Sequence, residues 1–316
     1  MKKIVLIFLI LLFTYAHGLK VGVLMPFGSK KDPTFGYMVK KGIELFSEKY
    51  SHIDIEIAYP SPGVPFTSYL KYFSLKSDYI IAAGFMYKEA LYEQAKKNID
   101  VKYFLVDSYV DLPNVCSIVF DDYQAAFVAG VMTAKFFANW NLAFIGASPS
   151  FLSDNFYYGF FNGLRYQGYD KDFEKYFISN EIVGFVNPQK GRALADKLFS
   201  KDTDLIFAPS GASSIGVLQS AVKNEKFVIG IDRPFEDLSE NGVVFSLSKR
   251  IDKALYKVLY QSIIENDFQS RKVLFDFSNG GYEIPYRKRL ERVYGYYKMK
   301  WYDEFIQKVI NDEIVY

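Results

Sequence analysis

The sequence predicts an α/β protein made of two similar lobes, each a parallel sheet with helices on both faces. The first observation behind this fold class is that short apolar runs of strand type alternate with helical segments, which is typical of βαβ units. The second is that this alternation begins again near Asn141. The third is the length of 316 residues, 50% of them hydrophobic, which suffices for two cores.

The first lobe is predicted over residues 19–124. Its strands are expected in KVGVLMPF, IDIEIAY, DYIIAAG, YFLVD and VCSIVF, and its helices in TFGYMVKKGIELFSEKY, KEALYEQAKKN and the start of DYQAAFVAGVMTAKFFANW. The first helix places Phe35, Val39 and Phe46 on one face, which is the spacing of an amphipathic helix. The last helix is long and largely apolar.

The second lobe is predicted over residues 125–247. Its strands are expected in LAFIGA, YFISNEIVGF, DLIFAP, KFVIGID and VVFSLS, and its helices in SDNFYYGFFNGLRYQG, NPQKGRALADKLFS and ASSIGVLQSAVKN. We expect the chain to return to the first lobe over about residues 248–285, and the tail of about residues 286–316 to join the second lobe. Several crossing segments would then form a hinge between the lobes.

Residues 1–18 have the character of a cleaved secretory signal peptide. Two lysines precede an unbroken apolar run, and the small residues Ala16 and Gly18 follow it. The apolar run is short for a membrane span, although an uncleaved anchor is the alternative interpretation. Because no cysteine follows the run, we expect no lipid anchor. The mature protein is therefore expected to be periplasmic or secreted.

The composition disfavours several classes of function. Without Lys2 and Lys3 the chain has 36 basic and 36 acidic residues, so its charge gives no reason to expect nucleic-acid binding. Cys116 is the only cysteine and His52 the only histidine after residue 18, which argues against zinc sites and against nucleophiles activated by histidine. We expect no enzyme activity, no catalytic residues, no metal and no cofactor.

Two strand-like runs end in aspartate, at Asp107 in KYFLVDSY and at Asp232 in KFVIGIDRP. Ligands of open parallel sheets bind at the carboxyl ends of the strands. If the lobes face each other, both carboxylates look into one cleft. The alternative is that each aspartate caps a loop or pairs with a nearby Lys or Arg. With one such aspartate in each lobe, the cleft is the better interpretation.

Three longer stretches resemble a known family. They are DYIIAAGFMYKEALYEQAKKNIDVKYFLVDSYVDLPNVCSIVFDDYQAAFVAGV, DLIFAPSGASSIGVLQSAVKNEKFVIGIDRPFED and VVFSLSKRIDKALYKVL. In order and approximate spacing they resemble the basic membrane protein family, the purine nucleoside receptors of bacterial ABC transporters. The resemblance implies a type I periplasmic-binding-protein fold, in which two Rossmann-like lobes close on a small-molecule ligand and the loaded protein docks on a membrane permease. We expect a monomer.

The resemblance also implies ligand-binding roles for individual residues. In the loop DPTFGY, Asp32 begins the motif and Phe35 matches the aromatic residue that stacks on one face of the base. Phe185 falls where the family has an aromatic residue on the other face. Asp107 matches the aspartate that accepts hydrogen bonds from the base edge, because an ionised carboxylate only accepts.

The sugar end of the implied site involves three further residues. Asp232 matches the aspartate that accepts hydrogen bonds from the ribose hydroxyls. Lys249 matches a lysine that contacts the ribose and can neutralise this aspartate. Gly211, in PSGASS, matches a glycine that lets the backbone approach the sugar.

The chain departs from the family pattern at the base end. Gly36 and Tyr37 stand where Asn and Gln are usual, and Pro26 and Phe27 stand where a strand normally ends in aspartate. A missing side chain at Gly36 would make room for a larger ring, so riboflavin or another polyol-bearing molecule is the alternative ligand. Two other hypotheses are a secreted nucleoside hydrolase, in which Asp32, Asp107 and Asp232 could supply acid, base or metal ligands, and a soluble sensor on the same fold.

Overall fold

The computed structural model describes residues 18–314 and residue 316, which form two six-stranded sheets surrounded by helices. The strands are β1 Lys20–Leu24, β2 Asp54–Ala58, β3 Tyr79–Ala83, β4 Lys102–Val106, β5 Val115–Phe120, β6 Leu142–Gly146, β7 Glu174–Phe177, β8 Leu205–Phe207, β9 Phe227–Asp232, β10 Val243–Lys249, β11 Lys272–Phe275 and β12 Tyr282–Glu283. The helices are α1 Phe35–Lys49, α2 Phe66–Ser74, α3 Lys88–Lys97, α4 Asp122–Phe136, α5 Phe151–Tyr166, α6 Pro188–Phe199, α7 Ser214–Lys223, α8 Ile251–Leu259, α9 Arg287–Tyr294 and α10 Tyr296–Ile310. The predicted signal peptide lies outside the described residues, apart from Gly18.

The first sheet has the strand order β11-β5-β4-β3-β1-β2, and all its neighbours are parallel. Strand β11 comes from the C-terminal part of the chain, after the chain has formed strands β6 to β10 of the second sheet. The second sheet has the order β12-β10-β9-β8-β6-β7 and is parallel except at the short edge strand β12, which pairs antiparallel with β10. The predicted α/β class with two parallel sheets is confirmed.

Helix α4 leads the chain from the first sheet to the second. It is buried along nearly its whole length and packs against α5. The two backbones approach closely at Gly130 and Gly163, where an added Cβ would lie 2.2 Å from the carbonyl oxygen of Phe160 and 2.1 Å from that of Phe127. Only glycine fits these positions, because a side chain there would force the helices apart.

Three crossings connect the sheets. The chain passes from β5 to α4, from β10 to α8, which packs on α1, and from β11 to β12. Strand β12 lies inside the segment expected to return to the first lobe, and it pairs with the second sheet. Among the described residues, none of the helices combines the length and the apolar character needed to cross a membrane.

One predicted strand is shorter than expected. The run YFISNEIVGF was predicted as one strand, but β7 ends at Phe177 and Ile182–Val186 form a 3₁₀ turn. The chain bends because it passes directly over the end of β6: an added Cβ at Gly184 would lie 1.9 Å from the carbonyl oxygen of Ala147. This bend brings Phe185 and Val186 to the space between the lobes.

Candidate functional site

A partly open cavity lies between the carboxyl ends of the two sheets. Apolar clefts with a few convergent polar groups are typical of small-molecule sites. All the residues predicted as ligand-binding line it: Asp32, Phe35, Asp107, Phe185, Gly211, Asp232 and Lys249. The structure therefore brings together side chains that are up to 217 positions apart in the chain.

The two strand-end aspartates have the same backbone geometry. Asp107 follows β4 with φ of 62°, and Asp232 ends β9 with φ of 67°. This left-handed conformation is unusual for residues other than glycine, and aspartate is among those that tolerate it best. The sharp turn ends each strand where its carboxyl group reaches the cavity, so one acidic side chain comes from each lobe.

Lys249, at the end of β10, is the cation of this site and is only 1% exposed. Its Nζ lies 2.7 Å from Oδ1 of Asp107 and 2.9 Å from Oδ1 of Asp122. Burial opposes its charge, but the Asp107 and Asp122 carboxylates outweigh this and raise its pKa. We expected Lys249 to neutralise Asp232. Its direct ion pairs are with Asp107 and Asp122, and its charge acts on Asp232 without an ion pair.

Asp232 is 7% exposed, and within the described chain its carboxylate has neither a hydrogen bond nor an ion pair. Burial is the main cause that raises its pKa to about 8. The charge of Lys249 lowers this pKa, and the negative charges of Asp32 and Asp107 raise it further. Burial likewise raises the pKa of Asp107 to about 6, against the opposing effect of Lys249. Asp232 is thus the carboxylate that a ligand with hydroxyl or N–H donors can bind without displacing a protein partner.

Asp32 lines the cavity, but its carboxylate is already bound within its own loop. One oxygen accepts hydrogen bonds from the backbone N–H and hydroxyl of Thr34 at 2.8 and 2.6 Å, and the other accepts from the N–H of Gly36 at 2.8 Å. These bonds satisfy donors at the start of α1, as a helix cap does. Asp32 therefore fixes the loop that carries Phe35.

Aromatic side chains from both lobes form much of the remaining wall. Phe35 opens α1 in the first lobe, and Phe185 comes from the turn after β7 in the second. Phe85, which follows β3, meets Phe185 across the cleft with ring centroids 5.6 Å apart and a tilt of 56°. Gly211 has φ of 58° and approaches the backbone of Phe185, since a Cβ there would lie 3.1 Å from its carbonyl oxygen.

The departures from the family pattern fall in two places. Gly36 and Tyr37 do not line the cavity: an added Cβ at Gly36 would lie 2.7 Å from Cβ of Ser29 and 3.0 Å from Oδ2 of Asp32, and Tyr37 packs on the guanidinium of Arg233 at 4.2 Å. The expectation that Gly36 makes room for a larger ring was therefore wrong. Pro26 and Phe27, by contrast, do line the cavity, and both are apolar.

The residues that were missed at the level of sequence include Phe85, Asp122 and Tyr282. Phe85 follows Gly84 at the end of β3, at the same sheet edge as Asp107. Asp122 begins α4, and its Oδ1 accepts from both Lys249 and the hydroxyl of Tyr282. The pair Asp121-Asp122 directly after strand β5 is a third acidic strand end, and this signal could have indicated Asp122.

Comparison with known proteins agrees with this geometry. A family model described as ABC transporter substrate-binding protein PnrA-like matches residues 19–315. The chain belongs to this family. It is a substrate-binding protein of an ABC transporter, of a kind that works outside the cytoplasm, and the family implies a small-molecule ligand and a membrane permease as partner.

Individual relatives share about a quarter of their aligned residues with this chain. The chain is 26% identical to Basic membrane protein D of Borreliella burgdorferi over 205 residues, which covers 63% of this chain and 59% of that protein. It is 24% identical to Basic membrane protein A of the same species over 296 residues, with 91% and 85% covered. The crystal structure of an ABC transporter solute-binding protein from Aeropyrum pernix K1 superposes with a TM-score of 0.85 at 19% identity and covers 94% of this chain and 93% of that one. The likeness confirms the predicted type I fold.

Proposed function

We propose that this substrate-binding protein captures a purine nucleoside in the cavity between its lobes and presents it to its permease without chemical change. The observation that carries the proposal is the Asp232 carboxylate, buried and without a protein partner, in a cavity whose walls are largely aromatic and aliphatic. A nucleoside matches both features of the cavity. Its flat base can pack against the apolar walls, and its two neighbouring ribose hydroxyl groups can donate to one carboxylate.

The base is proposed to lie between Phe35 and Phe185, which come from different lobes. Stacking of a base on an aromatic side chain contributes about 1–3 kcal/mol and is tolerant of base identity. Asp107 would accept a hydrogen bond from an N–H at the base edge while remaining paired with Lys249. A site built around this bond rejects rings that lack the donor.

The ribose is proposed to lie against Asp232, with its two hydroxyl groups donating to the two carboxylate oxygens. The ammonium of Lys249 lines the same cavity and favours the ionised form of Asp232. Gly211 lines the cavity, and its missing side chain leaves room for Phe185, so its part is to let that ring take its place in the wall. Closure of the two lobes about the three crossings would enclose the ligand.

Riboflavin is the second candidate, because Pro26 and Phe27 leave the ring end apolar and the ribityl chain offers several hydroxyl donors to Asp232. A nucleoside hydrolase is less favoured. The Asp32 carboxylate is occupied by Thr34 and Gly36, and Asp107 is paired with Lys249, so both would first have to lose their partners to act as acid or base. Of the three carboxylates in that hypothesis, only Asp232 has no protein partner among the described residues.

Calorimetric titration with inosine, guanosine, adenosine, uridine, riboflavin and free ribose tests the proposal. We expect the purine nucleosides to bind more tightly than uridine and ribose. If riboflavin is the only compound that binds tightly, the ligand is the flavin and not a nucleoside. Release of free base in excess over protein during incubation with inosine would contradict a transport role.

A further inference from the structure

Each of the three crossings between the lobes contributes one polar side chain to the same point. Asp122 is the first residue of α4 after β5, Lys249 ends β10, and Tyr282 begins β12 after β11. Lys249 and Tyr282 are also cross-strand partners in the β10–β12 pair. A hinge motion turns about these crossings, so it moves Asp122 relative to Lys249 and Tyr282, which the β10–β12 pairing keeps together.

The three groups form one buried cluster. Oδ1 of Asp122 accepts a hydrogen bond from Nζ of Lys249 at 2.9 Å and another from the hydroxyl of Tyr282. The same ammonium reaches Oδ1 of Asp107 in the first lobe at 2.7 Å and lies 4.8 Å from the centre of the Phe120 ring. Asp122 and Tyr282 are 5% and 2% exposed, so water does not replace these contacts.

Tyr282 does not line the cavity that holds Asp232, and Asp122 lines only the adjoining open part of the cleft, beside Phe85 and Asp107. They contact Lys249, which does line it. A lysine side chain has four flexible carbons and about 2 kcal/mol of rotamer entropy, so its ammonium has a fixed position only where partners hold it. A buried ammonium also needs its partners in good geometry to offset the loss of water.

We propose that Asp122 and Tyr282 are positioning residues for ligand binding, which hold the ammonium of Lys249 at the cavity when the three crossings are arranged as in this structure. The inference rests on the proposed function, because it assigns these residues a part in capturing that ligand. Ligand capture and lobe orientation are then coupled through one cation: moving the crossings separates Lys249 from Asp122 and takes its charge away from the site.

The first test measures inosine affinity by calorimetry for Asp122→Asn, Tyr282→Phe and a matched control, Asp252→Asn. Asp252 is equally buried and lies just after the same β10 crossing, but it is bound by Arg250 at 2.8 and 2.9 Å. We expect Asp122→Asn and Tyr282→Phe each to weaken binding by about tenfold, and Asp252→Asn to change it by less than about threefold.

Tyr282→Phe removes only a hydroxyl group and keeps the ring between Phe120 and Phe277, whose centroids are each 6.0 Å away. It therefore tests the proposal even if Asp122→Asn does not fold. Unchanged affinity in Tyr282→Phe, or an equal loss in the Asp252→Asn control, would overturn the inference.

The second test does not need a ligand. Trace acetylation of the ligand-free protein at a series of pH values, with peptide mass spectrometry, reports the titration of the Lys249 amine, which Asp107, Asp122 and Asp232 face. We expect Lys249 to become reactive at lower pH in Asp122→Asn and to keep the wild-type profile in Asp252→Asn. If inosine does not bind the wild-type protein, the proposed function fails. The acetylation profile of Lys249 tests the positioning role separately. An unchanged profile in Asp122→Asn would refute that role.

Discussion

Lys249 and Asp232 line the same cavity, yet within the described residues the Lys249 ammonium forms ion pairs with Asp107 and Asp122 and not with Asp232. Lys249 is the one basic residue among the described residues that line this cavity, and its ammonium is thus engaged by two other aspartates. Asp232 is left as a buried acid with a raised pKa, available to a ligand.

Replacing Asp232 with Asn should weaken inosine binding by about 1.5–3 kcal/mol, because hydrogen bonds to a charged group are lost while the size of the side chain is kept. The same change should stabilise the ligand-free protein at pH 8, since it removes a buried carboxylate without a partner. Calorimetry and urea denaturation measure the two effects. Asp170→Asn, at an exposed position, should change neither. Unchanged affinity in Asp232→Asn would show that the sugar end is wrongly placed.

The stability of the ligand-free protein should decrease as pH rises. The folded pKa values of Asp107 and Asp232, about 6 and about 8, lie above the value near 3.9 of an unfolded aspartate. The folded state therefore binds more protons than the unfolded state between about pH 4 and pH 8, and the free energy of unfolding falls over this range. Urea denaturation at constant ionic strength measures it. In Asp232→Asn the decrease above pH 7 should be absent, and a wild-type curve that rises over this interval would contradict the assignment.

Replacing Phe185 with Ala should weaken binding of inosine by about 1–3 kcal/mol, because one stacking surface is lost. Affinity for free ribose, which has no aromatic ring to stack, should not change. Tyr297→Ala, at a residue 85% exposed on α10, is the control for loss of an aromatic ring. Equal losses for inosine and ribose would mean that Phe185 supports the fold of the cleft and does not bind the base.

Introducing Asn at Gly36 should lower the free energy of unfolding by about 1–3 kcal/mol without improving affinity. The new side chain would meet Ser29 and Asp32 and would disturb the cap of α1. Thermal unfolding and calorimetry test this, with Lys40→Asn on the exposed face of the same helix as control. Tighter nucleoside binding in Gly36→Asn would show that this position does reach the ligand.

The fold could be predicted from the sequence because its strongest signals are local. The alternation of β and α segments, and strand ends such as Asp107 and Asp232, depend on neighbouring residues. Helix α2 was missed because its run FTSYLKYFS is short and mixed in polarity, and α9 because RKRLERVY is mostly charged. Each buries an apolar side, with Leu70 and Phe73 in α2 and Leu290 in α9, but nine and eight residues are too few for the helical period to stand out.

The site was predicted less completely than the fold. The position of Asp32 was predicted, but its hydrogen bonds to Thr34 and Gly36, which commit it to capping, depend on loop geometry. The partners of Lys249 could not be predicted, since Asp122 and Tyr282 lie 127 and 33 positions away in the chain. They meet only because three crossings converge, which is a property of the assembled lobes.

The central claim is that an ionised Asp232 accepts hydrogen bonds from the hydroxyl groups of a captured nucleoside. The most direct test is to count the protons that are released on binding. Calorimetry of inosine binding at pH 7 in buffers of different ionisation enthalpy counts the protons released. With the pKa of Asp232 near 8 in the free protein, the wild-type protein should release most of one proton per nucleoside bound, and Asp232→Asn none. Inosine binding without proton release in the wild-type protein, or no inosine binding at all, would contradict the account.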